Sequence, residues 1–375
     1  MPRRFTGAGA ARGAVIADPA GRRKPSRSAR LALAAFGLLL ALLAGEAAVR
    51  FFSPEIDLYD RSDPILGFRF RPGLRATVPS IDGTPTPLAF NSLGFRDAEP
   101  SRIGRPIVLL GDSFLAGVDV PFAKTFAGLL KARFARASPP FEVLSMGVPG
   151  YDTGQELLTL EHVALPLSPS AVVVCFYVEN DVWDNSPELS RLPHPQFTLD
   201  GGAPRPLPFR PMGDRIGYAL LNRSQLYRWQ KRRINALLER ARGGLDPLYG
   251  IYRASPGPKF ERAWTLTAAL LARAAGVTRG AGGRFFVAVI PGPAQVDDGL
   301  WAQLIALAGS PAGLDREAPQ ERLAAIAREQ GLTLIDLLAP LRAAAARGER
   351  VYHGHLTAAG HAVAAAAIGA ALAAR

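Results

Sequence analysis

Four well-separated residues carry groups suited to attacking an ester: Ser113, Gly147, Asn180 and His355. An ester hydrolase needs a nucleophile, a base to take its proton, and donors aimed at the oxygen on which charge develops. Ser113 follows the apolar run Ile107–Leu110 through Gly111-Asp112, where a strand would turn into a helix. The free N–H groups of a helix start favour negative charge at that point. His355 supplies an imidazole base. Gly147 has no side chain to keep a backbone N–H from a substrate, and Asn180 carries a carboxamide donor. Singly, each has a plain structural explanation, since a serine after a strand is usually a helix cap. Their joint occurrence in this order is what points to a site.

Something must bring these residues together. Strand-like apolar runs recur at 107–110, 141–147, 171–178, 284–291 and 332–336. Helical patterns fit 122–134, 153–164, 260–275, 297–308, 316–330, 337–347 and 357–374. This alternation predicts an α/β fold, a parallel sheet with helices on both faces. Such sheets bind ligands at the C-terminal ends of their strands. Those ends carry Gly111-Asp112-Ser113, Ser145-Met146-Gly147 and Glu179-Asn180-Asp181, and His353-Gly354-His355 precedes the last helix. The domain is read as 107–375, with an insertion at about 185–257. The insertion is proline-dense at first and then runs into an amphipathic basic helix over 218–242. Its Arg228, Lys231, Arg232, Arg233 and Arg240 suit acidic lipid or an anionic polymer; the plainer reading is a solvated face.

The segments GDSFLAGVDV, VLSMGVPGYDTGQ, YVENDVWDN and GHLTAAGH resemble the four blocks of the SGNH (GDSL-like) hydrolase family, in that family's order. The resemblance spans roughly 90–185 and 258–375. NSLGFRD (91–97) and IPGPAQVDDGLW (290–301) are similar to the membrane-anchored bacterial branch, whose members add or remove acyl groups on secreted polysaccharides. It implies a flavodoxin-like three-layer α/β/α sandwich and no cofactor or metal. Ser113 is then nucleophile and His355 general base. Gly147 and Asn180 complete an oxyanion hole with the Ser113 N–H. The expected activity is a serine esterase acting on ester-linked acyl groups, with acetyl esters of envelope carbohydrates as one substrate class. An O-acyltransferase would need the same groups.

One feature departs from the pattern. The family places an aspartate two or three residues before its histidine, where this chain has His353 and Tyr352. An aspartate that fixes the histidine tautomer is worth about 10⁴ in rate. Three readings follow: a Ser–His dyad oriented by a backbone carbonyl, a carboxylate reaching in from elsewhere (Asp181 or Asp152), or a non-catalytic binding protein. Asp112 and Asp336 read as structural, and His361 as a cap or packing residue. His353 and His355 lack a third metal ligand nearby in sequence.

The formal charge of +12 is unevenly spread. Residues 1–30 hold eight basic residues against Asp18 alone, about +7 of the total. That distribution suits a topogenic tail and argues against nucleic acid, which calls for charge over a folded face. Residues 31–49 form an apolar run broken only by Glu46, long enough to cross a hydrocarbon core of roughly 30 Å. Basic residues before it favour a cytoplasmic N-terminal side, an inner-membrane anchor and an extracytoplasmic domain. A cleaved signal is the rival, but Glu46 and Arg50-Phe51-Phe52 make a poor cleavage context. Residues 50–106 read as a linker and N-terminal extension. Cys175, the one cysteine, reads as a buried strand residue and permits no internal disulfide.

Overall fold

The computed structural model describes residues 26–52, 56–101, 103–190, 192–212, 223–242 and 246–374. Most of the basic tail (1–25) and the start of the expected amphipathic helix (218–222) lie outside the described residues. The described part opens with α1 (Arg27–Phe52), whose 26 residues are long and apolar enough to span a membrane. It exceeds the expected 31–49 at both ends.

Residues 50–106 are more than a linker. They contain the antiparallel pairs β1 (Tyr59–Asp60) with β2 (Arg69–Phe70), and β3 (Arg75–Pro79) with β4 (Pro85–Ala89). Phe70, Leu88, Phe90 and Phe95 from this stretch are buried in the same core as the sheet. β1 and β2 are two residues each, and β3 and β4 carry prolines, which is why the segment reads as extended chain.

The α/β unit follows: β5 (Ile107–Gly111), α2 (Ser113–Ala116), α3 (Phe126–Phe134), β6 (Val143–Gly147), α4 (Thr153–Thr159), β7 (Ala171–Tyr177) and α5 (Asp181–Asp184). The insertion supplies the pair β8 (Phe197–Asp200) and β9 (Ala203–Pro206), then the helix α6 (Gln225–Arg242). The unit resumes with α7 (Pro258–Gly280), β10 (Arg284–Ile290), α8 (Pro293–Val296), α9 (Asp298–Ala308), α10 (Ala318–Gln330), β11 (Thr333–Asp336) and α11 (Leu338–Ala346). It closes with the small pair β12 (Tyr352–His353) and β13 (His355–Leu356), and with α12 (Ala358–Ala373).

Among the described residues the central sheet has five strands in the order β11-β10-β7-β5-β6, all parallel. In chain order of the sheet strands this is 2-1-3-4-5, the flavodoxin-like arrangement. Successive strand side chains point to opposite faces, and both faces are covered. Val108, Leu144, Val174 and Val287 face α4, α7 and the N-terminal hairpins. Ile107, Leu109, Val173, Cys175 and Ala288 face α3, α11 and α12. Three layers result, and β5, β7 and β10 read as apolar runs because neither of their faces meets water.

If 56–101 belongs to the domain core, Phe95→Ala, at a residue with no exposed surface, should cost about 3–5 kcal/mol in urea unfolding. A segment serving only as a tether would show almost no loss.

Candidate active site

The strand order reverses between β5 and β7, so the loops leaving their C-terminal ends diverge and open a crevice. Ser113 stands at the end of the first loop and Asn180 at the end of the second. Asp112 caps α2 by accepting the Phe114 N–H (2.9 Å), which fixes the turn that presents Ser113. Asp112 also accepts the Asn180 Nδ2 donor at 3.1 Å. One buried carboxylate thus sets both the nucleophile's turn and the carboxamide. Burial pushes the Asp112 carboxyl up to about 6, against the pull of the Phe114 N–H bond.

His355 arrives from the far end of the chain on the β12–β13 turn, where Gly354 takes a φ of 76°. Its Nε2 lies 3.0 Å from Ser113 Oγ. Its Nδ1 lies 2.7 Å from Asp119 Oδ2. Ser113, His355 and Asp119 therefore make a hydrogen-bonded triad. The bond to Asp119 raises His355 above the ordinary imidazole range and lowers Asp119 below the usual carboxylate range. The Phe114 ring packs edge-on to the imidazole, with centroids 5.2 Å apart.

Asp119 is the residue that sequence reasoning missed. It sits in GDSFLAGVDV, six positions after the serine, rather than just before the histidine. Gly117 closes α2 in the left-handed region (φ 50°), where a Cβ would lie 2.7 Å from Thr125 Cγ2. The chain then doubles back, and Arg96 holds the returning loop. Its buried guanidinium donates to the carbonyls of Ala116 (3.2 Å), Gly117 and Val120 (2.9 Å). Of the three readings for the unusual histidine motif, the structure has a carboxylate reaching in from elsewhere, but neither expected candidate supplies it. Asp181 instead accepts Thr153 Oγ1 (2.8 Å) and the Tyr177 N–H (2.7 Å). Asp152 caps α4 at Gln155 N (2.7 Å) and faces His194.

Gly147 also departs from expectation. Val148 donates its N–H to Gly111 across the β5–β6 pairing, and adjacent strand residues point their N–H groups in opposite directions. The Gly147 N–H therefore faces the outer side of the edge strand β6, away from Ser113. The glycine serves packing: a Cβ there would stand 2.6 Å from Ala116 N and 2.8 Å from Leu115 Cβ. Gly150, in the loop beyond, has φ +84° and borders a cavity of about 300 Å³ walled by Tyr59, Phe68, Pro149 and Leu192.

The remaining candidates keep structural positions. Asp336 accepts the Leu338 N–H (2.9 Å). His361 is buried and accepts the Phe126 N–H (3.2 Å), and burial lowers it to about 3. His353 is exposed on its hairpin. Cys175 is buried in β7. Glu156 is fully buried near Asp112, Asp152 and Asp181, and desolvation pushes its carboxyl well above the usual carboxylate range.

No family model matches the chain, and no curated protein matches it significantly. Solved structures similar to it include TesA, at 14% identity over 72% of this chain and 98% of that one (TM-score 0.39). An acetyl xylan esterase, AlAXEase, is similar at 13% identity over 71% and 99% (TM-score 0.41). A member of the lipolytic protein G-D-S-L family from Veillonella parvula is similar at 14% over 70% and 96% (TM-score 0.37). At such identities the assignment of chemistry rests on the geometry around Ser113 and His355.

Catalysis through this triad needs His355 neutral, so its raised pKa sets the acid limb of a pH–rate profile above the ordinary histidine value of 6.5. In Asp119→Asn that limb should move to lower pH while kcat falls by about 10⁴. A profile and kcat like those of the unaltered chain would remove Asp119 from the triad.

Proposed function

We propose that this chain is a membrane-tethered serine ester hydrolase of the SGNH kind, working by acyl transfer through Ser113. The observation that carries the reading is the continuous contact from Ser113 Oγ through His355 to Asp119, at 3.0 and 2.7 Å. His355 Nε2 takes the hydroxyl proton as Ser113 Oγ attacks the ester carbonyl. Asp119 holds Nδ1–H and stabilises the imidazolium that forms. The Ser113 N–H at the start of α2 and the Asn180 carboxamide receive the oxyanion. His355 then protonates the leaving alkoxide, and water, deprotonated by the same imidazole, releases the acid. The non-catalytic reading loses its motive, because the carboxylate whose apparent absence prompted it is supplied by Asp119.

The substrate class we favour is a short acyl ester, such as acetyl, on an envelope carbohydrate. Support comes from the openness of the site: the His355 and Asp119 side chains are 40% and 39% exposed. A group borne on a polymer can reach such a rim. The basic residues ahead of α1 favour a cytoplasmic N-terminal side and an extracytoplasmic catalytic domain at the inner membrane.

A fluorophosphonate probe should label the purified chain, and Ser113→Ala should abolish both labelling and hydrolysis of p-nitrophenyl acetate. Asn180→Ala should keep the fold and lose about 10²–10³ in kcat, the usual cost of one oxyanion donor. Labelling that survives Ser113→Ala would refute the mechanism. Acetyl transfer to added oligosaccharide exceeding acetate release would make the chain a transferase.

A further inference from the structure

The insertion helix α6 has no role in the triad, yet it is joined to α1 at a defined point. Glu46, the lone charge within the apolar run, accepts Ser224 Oγ (2.7 Å) and the N–H groups of Gln225 (3.0 Å) and Leu226 (2.9 Å). A carboxylate at a helix start satisfies free N–H groups and complements the helix dipole. Arg50, which donates to Glu46 at 2.7 Å, also donates to the Arg223 carbonyl at 3.1 Å. A Cβ on Gly45 would stand 3.1 Å from Leu226 Cδ2, so the two helices touch there. The start of α6 is thus bolted to the C-terminal end of the span, where a membrane would meet water.

Beyond that joint α6 is two-faced. Ile234, Leu237 and Leu238 lie on one stripe at helical spacing and are 55%, 63% and 55% exposed. Lys231 and Arg233 flank the stripe and are exposed, and Arg233 stacks over Trp229 at 4.4 Å. An apolar stripe edged by long basic side chains suits a bilayer boundary, with the charged heads reaching the headgroups.

We propose that α6 lies on the surface of a bilayer containing anionic phospholipid. Ile234, Leu237 and Leu238 enter the acyl boundary, and the basic residues beside them engage headgroup phosphates. The span and α6 then form two fixed points that set how the Ser113 crevice faces the membrane. The proposal requires α1 to span and is independent of the esterase reading.

The full chain carrying Ile234→Cys, labelled with a polarity-sensitive fluorophore, would be reconstituted into phosphatidylcholine vesicles with and without phosphatidylglycerol; the buried Cys175 stays unlabelled. With phosphatidylglycerol present, lipid-borne nitroxide should quench the label and aqueous iodide quenching should fall several-fold. Adding Lys231→Glu and Arg233→Glu should reverse both changes while hydrolysis of a soluble ester is unaltered. A label open to iodide and untouched by lipid nitroxide, in a chain that resists carbonate extraction, would overturn the proposal. Release by carbonate would sink the span and the proposal with it. A label shielded only when polygalacturonate is added would assign α6 to an anionic polysaccharide, against the proposal.

Discussion

An imidazole can relay a proton from a serine only while its second nitrogen is held, and here Asp119 holds it at 2.7 Å. The three residues come from the start of α2, the loop after it and the hairpin ahead of α12; Ser113 and His355 stand 242 positions apart. The parallel sheet contributes a rigid rim, because its strands are buried on both faces and cannot shift without exposing apolar surface. The reversal of strand order between β5 and β7 then leaves a gap at that rim. Asp112 spans it, bonding the serine turn on one side and Asn180 on the other.

Asp119 depends in turn on a residue outside the sheet. Arg96 is 2% exposed, and burying a guanidinium is costly unless its donors are matched. The carbonyls of Ala116, at the end of α2, and of Gly117 and Val120 in the loop that follows take up its two Nη groups. Burial lowers this guanidinium to about 10, which leaves it charged at neutral pH. Freeing one partner would strand the other without a bond, so the loop and the NSLGFRD segment hold each other in place. Asp97, next along, accepts the Ser145 N–H at 2.9 Å and pairs with Lys131, tying the same segment to β6 and α3. This explains why a stretch with little regular structure is buried against the domain.

The unmatched features of the N-terminal helix and the insertion account for each other. Glu46 would be a poor residue at the edge of a membrane span, and α6 begins with N–H groups in need of acceptors. Each answers the other's requirement, and Arg50 completes the set.

The order of strands and helices could be read from the residues because apolar periodicity is a local property: a strand buried on both faces must be apolar throughout, and a helix covering it must repeat every three to four residues. Ser113, Asn180 and His355 could be singled out for a related reason: the first two follow apolar strand runs and the third precedes the last helix. The hairpins at 59–89 were not, since their strands are too short for a period to register. Asp119 escaped because nothing adjacent to it in sequence marks it; its place depends on the turn at Gly117 and on a guanidinium 24 residues from Val120, whose carbonyl it holds. Gly147 read as an oxyanion donor because it lacks a side chain, but the direction of its N–H depends on which neighbour β6 pairs with. Composition and period act along the chain, whereas the partner of His355 Nδ1 and the outward side of Gly147 are properties of distance in space, decided only when the strands take their order.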